Sequence, residues 1–154
     1  MALHKKKMVT LYAIIIFFVI LDRFFKFLAI NGYFKNAINI FGDFFKLDFT
    51  ANYNIAFSLP FNGIFLNITI IFIILGLICN LIYVINKKRP LEAIFLISII
   101  LGATSNFADR LNYGYVIDYL DLSYFTVFNI ADAMIILGII GIGWIMLGKK
   151  DKIA

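Results

Sequence analysis

Charge is scarce in this sequence, and so are the residue types that most soluble catalytic domains rely on. Charged side chains make up 15% of the 154 positions, proline occurs twice, and there is one cysteine and one histidine. A single cysteine excludes a disulfide framework or a cysteine-built metal site within one chain. Cys79 lies in the middle of an apolar run and reads as a small packing residue rather than a reactive thiol. His4 lies in a basic N-terminal tail, where a solvated charge partner is the expected role, and it leaves a serine–histidine triad without a base near the polar residues described below. Lysine and arginine outnumber the acids by 14 to 9. They fall in short clusters rather than along a contiguous basic face, so nucleic acid is not an expected partner.

What is abundant is hydrocarbon. Hydrophobic residues account for 63% of the chain and the mean hydropathy is +0.96, whereas a soluble domain is about half apolar and about a quarter charged. The expectation is one integral membrane domain over 1–154. Lys5–Lys7 precede the first apolar run, Lys87–Arg89 separate two runs, and Lys149, Lys150 and Lys152 follow the last. Basic clusters of this kind mark cytoplasmic segments. They give an all-α membrane fold of four transmembrane helices, over about 8–30, 61–85, 91–107 and 125–147, with both termini cytoplasmic.

The N-terminus has the charge and apolar run of a signal peptide. No small-residue cleavage site follows, however, and hydrophobicity resumes after Asp22, so it reads as an uncleaved helix. Residues 31–60 form a long connection whose core, DFFKLDFTANYNIAFS, is aromatic and partly alternating. This predicts a small extracytoplasmic β-rich connection between helices 1 and 2, with its aromatics at headgroup level. Gly138, Gly141 and Gly143 suit close helix packing. Asn67-Ile68-Thr69 matches a glycosylation sequon inside an apolar helix, where the match is accidental.

The polar residues are few and concentrated. Asp22 and Lys26 are spaced i,i+4 with the acid first, on one helical face. They read either as a self-neutralising buried pair or as support for a polar site, while Arg23 is expected to snorkel to the interface. The stretch Gly102–Asp132 carries most of the rest. Asn106, Asp109 and Arg110 share a face at the outer end of the third helix, with Asp109 and Arg110 expected as an ion pair. Asn129 and Asp132 share a face at the start of the fourth helix, and Asp118 follows a turn allowed by Gly114. Two carboxylates from different elements, Asp118 and Asp132, can therefore meet at the membrane edge. A shared site cannot hold two anions cheaply, so such a pair supplies an acid and a base together, able to activate a water molecule. Asp121 reads as a solvated or interfacial charge. A metal reading would need an all-oxygen, magnesium- or calcium-like site. A proton-coupled carrier and a lipid-binding assembly protein are the alternatives. The carrier would show polar groups on both membrane faces, and the lipid-binding protein leaves the two supported carboxylates without a role.

In their order and spacing these pieces resemble a known family. They are Asp22…Lys26, Asn52-Tyr53-Asn54-Ile55-Ala56-Phe57, Gly102-Ala103…Asn106…Asp109-Arg110, Val116-Ile117-Asp118-Tyr119 and Phe128-Asn129-Ile130-Ala131-Asp132. Together they cover nearly the whole chain and resemble prolipoprotein signal peptidase, the signal peptidase II family of membrane aspartic peptidases. The resemblance implies that Asp118 and Asp132 are the catalytic dyad. It further implies that Asn106, Arg110 and Asn129 support the dyad and position substrate, with Asp22, Lys26, Asn52 and Asp109 in supporting roles. It implies a diacylglyceryl-modified prolipoprotein substrate cut just before its lipidated cysteine, inhibition by the cyclic peptide globomycin, contact with membrane lipid and no cofactor. It places the protein in a bacterial cytoplasmic (inner) membrane, with the site toward the extracytoplasmic face. A site buried among four helices needs no partner chain, so a monomer is expected. Two departures bear on the entrance to the site. Asn54 stands where the family usually has glycine, and the Asp118–Asp132 connection is short for the family.

Overall fold

The computed structural model describes residues 2–53, 63–123 and 125–150. Four helices carry the apolar runs: α1 (Ala2–Ile30), α2 (Gly63–Asn86), α3 (Pro90–Tyr113) and α4 (Ile130–Lys150). Among the described residues, three segments are long and apolar enough to cross a membrane: Ile64–Asn86, Pro90–Tyr113 and Ile130–Gly148. The first helix runs 29 residues, from within the basic tail to Ile30, and it alone carries Asp22, Arg23 and Lys26.

Helix boundaries follow local chemistry. At the start of α3, Pro90 occupies the first turn, where its missing N–H costs nothing. The helix ends at Gly114, whose left-handed backbone (φ 81°) lets its N–H reach Arg110 O. The α2–α3 turn is built another way. Lys88 N donates to Ile85 O and Arg89 N to Val84 O, a Schellman pattern that requires a left-handed residue. A lysine fills that position here, with φ 54°, at a backbone cost on the order of 1 kcal/mol.

The sheet departs from expectation in where its strands come from. Strands β1 (Ile38–Phe41) and β2 (Phe45–Asn52) lie in the first connection, as predicted, but β3 (Val116–Leu122) and β4 (Thr126–Phe128) come from the connection between α3 and α4. All four form one antiparallel sheet in the order β1-β2-β3-β4. Thr50 stands opposite Asp118 and Asn52 opposite Val116. Consequently α3 continues to Tyr113 rather than stopping near 107, and α4 begins at Ile130 rather than 125. The short return after Asp118 is a tight pairing of Leu120 with Phe128 and Leu122 with Thr126.

The burial pattern is that of a protein solvated by lipid. Phe65 and Trp144 are each 79% exposed, whereas Asp22, Lys26, Asp109 and Asn129 are fully buried. Apolar side chains outside and charges inside reverse the arrangement of a water-soluble domain. Small apolar clusters join the elements: Ala29, Phe34, Ile117 and Tyr119 fasten α1 to β3, and Ile15, Ile94 and Met134 fasten α1, α3 and α4. Cys79 is exposed on α2, not packed within the protein as expected. Thr69 Oγ returns a hydrogen bond to Phe65 O within α2, which keeps the sequon helical.

Glycines bring α3 and α4 together, but not all three anticipated from sequence. A Cβ at Gly138 or Gly141 would strike Ile99 or Phe95 of α3, while one at Gly143 would meet nothing within 4 Å. A third close approach is at Gly102, where a Cβ would lie 2.6 Å from the backbone oxygen of Ala131. That oxygen belongs to the first turn of α4 and cannot rotate away. Gly102→Ala is therefore expected to destabilise the protein by about 2 kcal/mol and to push the start of α4 off α3. Gly143→Ala should be neutral or slightly stabilising, and thermal unfolding of the two variants in the same detergent compares them directly.

Candidate active site

The site is assembled from the inside outward, starting with a buried cation. Lys26 Nζ lies 3.1 Å from Asp22 Oδ2 and 2.7 Å from Asp109 Oδ2, and all three side chains are sealed from solvent. Arg23 completes the set by reaching Asp109 Oδ1 at 2.6 Å. Two cations and two carboxylates thus neutralise one another, as buried charges must. The Asp22–Lys26 pair expected from sequence is present, within a larger network. Two expectations change. Arg23 turns inward to Asp109 rather than snorkelling, and Asp109 pairs with α1 cations rather than with its neighbour Arg110. The reason is geometric: the inner face of α3 that carries Asp109 packs on α1.

Two residues to which the sequence assigns no role of their own complete this core. Ser105 donates to Asp22 Oδ2 at 2.6 Å and lies within 3.4 Å of Lys26 Nζ. Tyr119, fully buried and stacked on Phe25, donates to Asp22 Oδ1 at 3.1 Å and accepts from Ile130 N at 3.2 Å. The available signals were positional. Ser105 lies four residues before Asp109 on the same helical face, and a tyrosine that enters a core generally needs a partner for its hydroxyl.

The start of α4 depends on the same groups. A helix leaves its first N–H groups without intrahelical partners, and each is met here by a side chain. Ile130 N donates to Tyr119, Ala131 N to Asp22 Oδ1, and Asp132 N to Asn129 Oδ1. Asp132 Oδ2 in turn accepts from Asn129 N at 3.3 Å. Asn129 and Asp132 therefore form a reciprocal capping box, which fixes the Asp132 carboxylate where the helix dipole favours negative charge.

Asn129 also reaches across to the other carboxylate. Its side-chain amide donates to Asp118 Oδ1 at 2.6 Å, while Asn52 from β2 donates to Asp118 Oδ2 at 2.8 Å. The remaining oxygen of the pair, Asp132 Oδ1, accepts from Asn106 at 2.7 Å. Asn106 is polarised in its turn, since its Oδ1 accepts from Lys26 Nζ at 2.7 Å. Three asparagines from three elements thus hold two aspartates, bridged by Asn129. Arg110 extends from α3 to Tyr53 O at 3.5 Å, at the end of β2. Asn54 and the 55–57 part of its motif lie outside the described residues. Asp121 lies three residues beyond Asp118 on the same strand, which turns it toward the opposite face, across from Lys46 and Val127.

Burial and, next in size, the charge of Asp132 push the Asp118 carboxyl up to about 7, against the weaker pull of its amide donors. Near neutral pH this group is therefore poised between acid and base. The arrangement can hold a proton beside an anion, and so can give a proton to a bound molecule or take one from it.

Apolar helices that gather buried acids and asparagines at one end define a multi-pass membrane protein with a buried polar cluster. The family model described as Signal peptidase (SPase) II matches residues 14–148. The chain belongs to that family, and by that membership it is a membrane peptidase of lipoprotein signal peptides. Lipoprotein signal peptidase from Buchnera aphidicola is 39% identical over 96% of this chain and 97% of its own. The protein of that name from Caldanaerobacter subterraneus is 32% identical over 88% and 94%, and that from Brevibacillus brevis 34% over 92% and 98%. Among solved structures, a bacterial membrane enzyme determined in meso at 2.3 Å superposes with a TM-score of 0.79 over 93% of this chain and 90% of its own, at 23% identity, a likeness of fold.

Two measurements test the geometry. Tyr119→Phe leaves Ile130 N without its acceptor and removes a donor to Asp22, so turnover should fall about ten-fold with little change in KM, the loss of a buried hydrogen bond being worth about 1 kcal/mol or more. The second concerns stability. With its carboxyl raised from 3.8 to about 7, Asp118 favours the fold in its protonated form. That contribution is complete below about 4 and is lost as pH rises through about 7. Asp118→Asn cannot titrate, so its melting temperature should gain on wild type between pH 4 and 7 and hold a constant offset above.

Proposed function

We propose that this chain is an aspartic endopeptidase that removes the signal peptide from diacylglyceryl-modified prolipoproteins, cutting just before the lipidated cysteine. The observation that carries this reading is the pair Asp118 and Asp132, bridged by Asn129 and held by Asn52 and Asn106 at the end of the apolar helices.

In this mechanism the pair shares one proton. The ionised carboxylate takes a proton from a water molecule as its oxygen attacks the scissile carbonyl carbon, and the protonated partner gives its proton to the carbonyl oxygen. The resulting tetrahedral diol collapses as the C–N bond breaks: the leaving nitrogen receives the proton taken from water, and one diol hydroxyl returns its proton to the other carboxylate as the new carbonyl forms, which restores the shared proton. The proton belongs to the coupled pair, so neither residue holds a fixed role. Asn52, Asn106 and Asn129 fix the oxygens that move protons. Arg110, beside the Tyr53 carbonyl, is suited to hold the substrate backbone through its fork of donors. Asp22, Lys26 and Asp109 supply the rigid base beneath. No cofactor enters any step.

The topology of this proposal is a single domain of four spans with both termini cytoplasmic. The first helix can cross because Asp22 and Lys26, in its last third, are buried with Asp109, and the partly exposed Arg23 is paired with the same Asp109. The sheet and the dyad then lie toward the extracytoplasmic face of a bacterial inner membrane, where a lipidated cysteine sits at headgroup depth. The protein acts as a monomer in contact with membrane lipid, and a globomycin-type cyclic peptide would block the site.

The experiment is cleavage of a diacylated prolipoprotein by the purified protein in detergent. Asp118→Asn and Asp132→Asn are each expected to lower turnover by about 10²–10⁴-fold or more, while circular dichroism shows the helices intact. Asp121→Asn should keep most activity, and a chelator should change nothing. Normal cleavage by either dyad variant would make that aspartate structural, and an inactive Asp121→Asn protein would mean the acid pair is misassigned.

A further inference from the structure

At the end of the helices opposite the dyad, a cavity of about 320 Å³ opens between three helices, lined by Tyr12, Ile85, Lys88, Arg89, Pro90 and Ala93. We propose that it binds the phosphate headgroup of an anionic phospholipid. Four separate features converge on it.

The first is the backbone of Lys88. Its left-handed conformation is one that glycine adopts freely and a side-chain-bearing residue adopts at a cost. The turn keeps a lysine there nonetheless, and its side chain lines the cavity. A non-glycine residue held in this conformation is a reason to look for a function. Second, the cations of the turn are not equivalent. Lys87 sets its ammonium 5.6 Å from the ring of Tyr83 in the last turn of α2, leaving Lys88 and Arg89 to the cavity. Arg89 touches Glu92 at 3.6 Å through Nη1, a long pair that leaves the other guanidinium donors available for a second anion.

Third, α3 starts at this point, and Arg89 at its N-cap makes no side-chain capping bond. The positive end of the helix dipole therefore adds to the two cations. Fourth, the surroundings are apolar where a lipid's chains would run. Val9, Ile16, Ile82 and Leu91 are each about half exposed or more, and Tyr12 brings an aromatic ring with a hydroxyl from α1. A phosphate between Lys88, Arg89 and Tyr12 would leave two acyl chains lying against these side chains. A water-borne anion makes no use of that surface, which favours the lipid over free phosphate.

Binding is read by native mass spectrometry of the full chain, purified in detergent and offered mixed micelles of phosphatidylglycerol or phosphatidylcholine. Wild type should retain phosphatidylglycerol about five-fold or more over phosphatidylcholine. Lys88→Gly and Arg89→Gln should each lower that preference about five-fold. Lys88→Gly should also melt at the same temperature or higher, because glycine relieves the left-handed turn, so a loss of lipid cannot be put down to unfolding. Lys87→Gln removes the same charge one residue away and should keep the wild-type preference. An equal loss in Lys87→Gln would overturn the site in favour of diffuse surface charge, and so would a Lys88→Gly protein that still prefers phosphatidylglycerol. Displacement of the retained lipid by millimolar inorganic phosphate would overturn the lipid assignment and leave a simple anion site.

Discussion

The rest of the structure depends on the ammonium group of Lys26. A fully buried charge without partners is costly. It is tolerated because Asp22 and Asp109 meet it at 3.1 and 2.7 Å and Asn106 accepts a further hydrogen bond. Each of those partners does something else as well. Asp109 ties α3 to α1 through Arg23, Asp22 receives the first turn of α4 through Ala131 N, and Asn106 passes the polarisation on to Asp132. One buried cation thereby fixes the relative placement of three helices. In hydrocarbon, where apolar contact between helices brings no hydrophobic gain over contact with lipid, such polar ties and close packing at small residues are the forces available.

Much of this was legible in the sequence. The apolar runs with basic ends gave the helices, and the i,i+4 spacing of Asp22 and Lys26 gave the central pair. The polar stretch 102–132 gave the aspartates and asparagines that converge. What was not legible is what depends on which faces meet. Whether Asp109 turns to Arg110 or to α1 cannot be read from adjacency in the chain, and Arg23 looks like a snorkelling residue until Asp109 on α3 is seen to hold it. The second pair of strands was not readable because VIDYLDL places its two aspartates three residues apart, which breaks the alternation of a half-buried strand. That spacing fits the end of a helix as well as a strand. Gly102 stands among the residues of the family resemblance, but its packing role is not readable from sequence, since it is defined by an oxygen on another helix.

The capping box at Asn129 and Asp132 shows how structure and reactivity share parts. The carboxylate that closes the first turn of α4 is one of the two proposed to move protons, and the asparagine that caps the helix also holds Asp118. A substitution at Asn129 would therefore loosen the helix start and alter both acids at once. Its effects on stability and on turnover cannot be separated by that variant alone, in contrast to Tyr119, whose hydroxyl touches the scaffold and neither acid.

The sheet takes one pair of strands from each of two connections, and this constrains the order in which the protein can be completed during synthesis. Asn52 waits 66 residues for Asp118, and Asp22 waits 109 residues for the amide of Ala131. Contacts this distant in sequence form late. Until α4 has followed the rest of the chain into the bilayer, Asp118 has no Asn129 and the first helix has no amide for its acid. A ribosome-bound fragment ending before α4 therefore carries the strands and one acid but no pair. Whatever chemistry the two aspartates perform begins only when the last helix arrives.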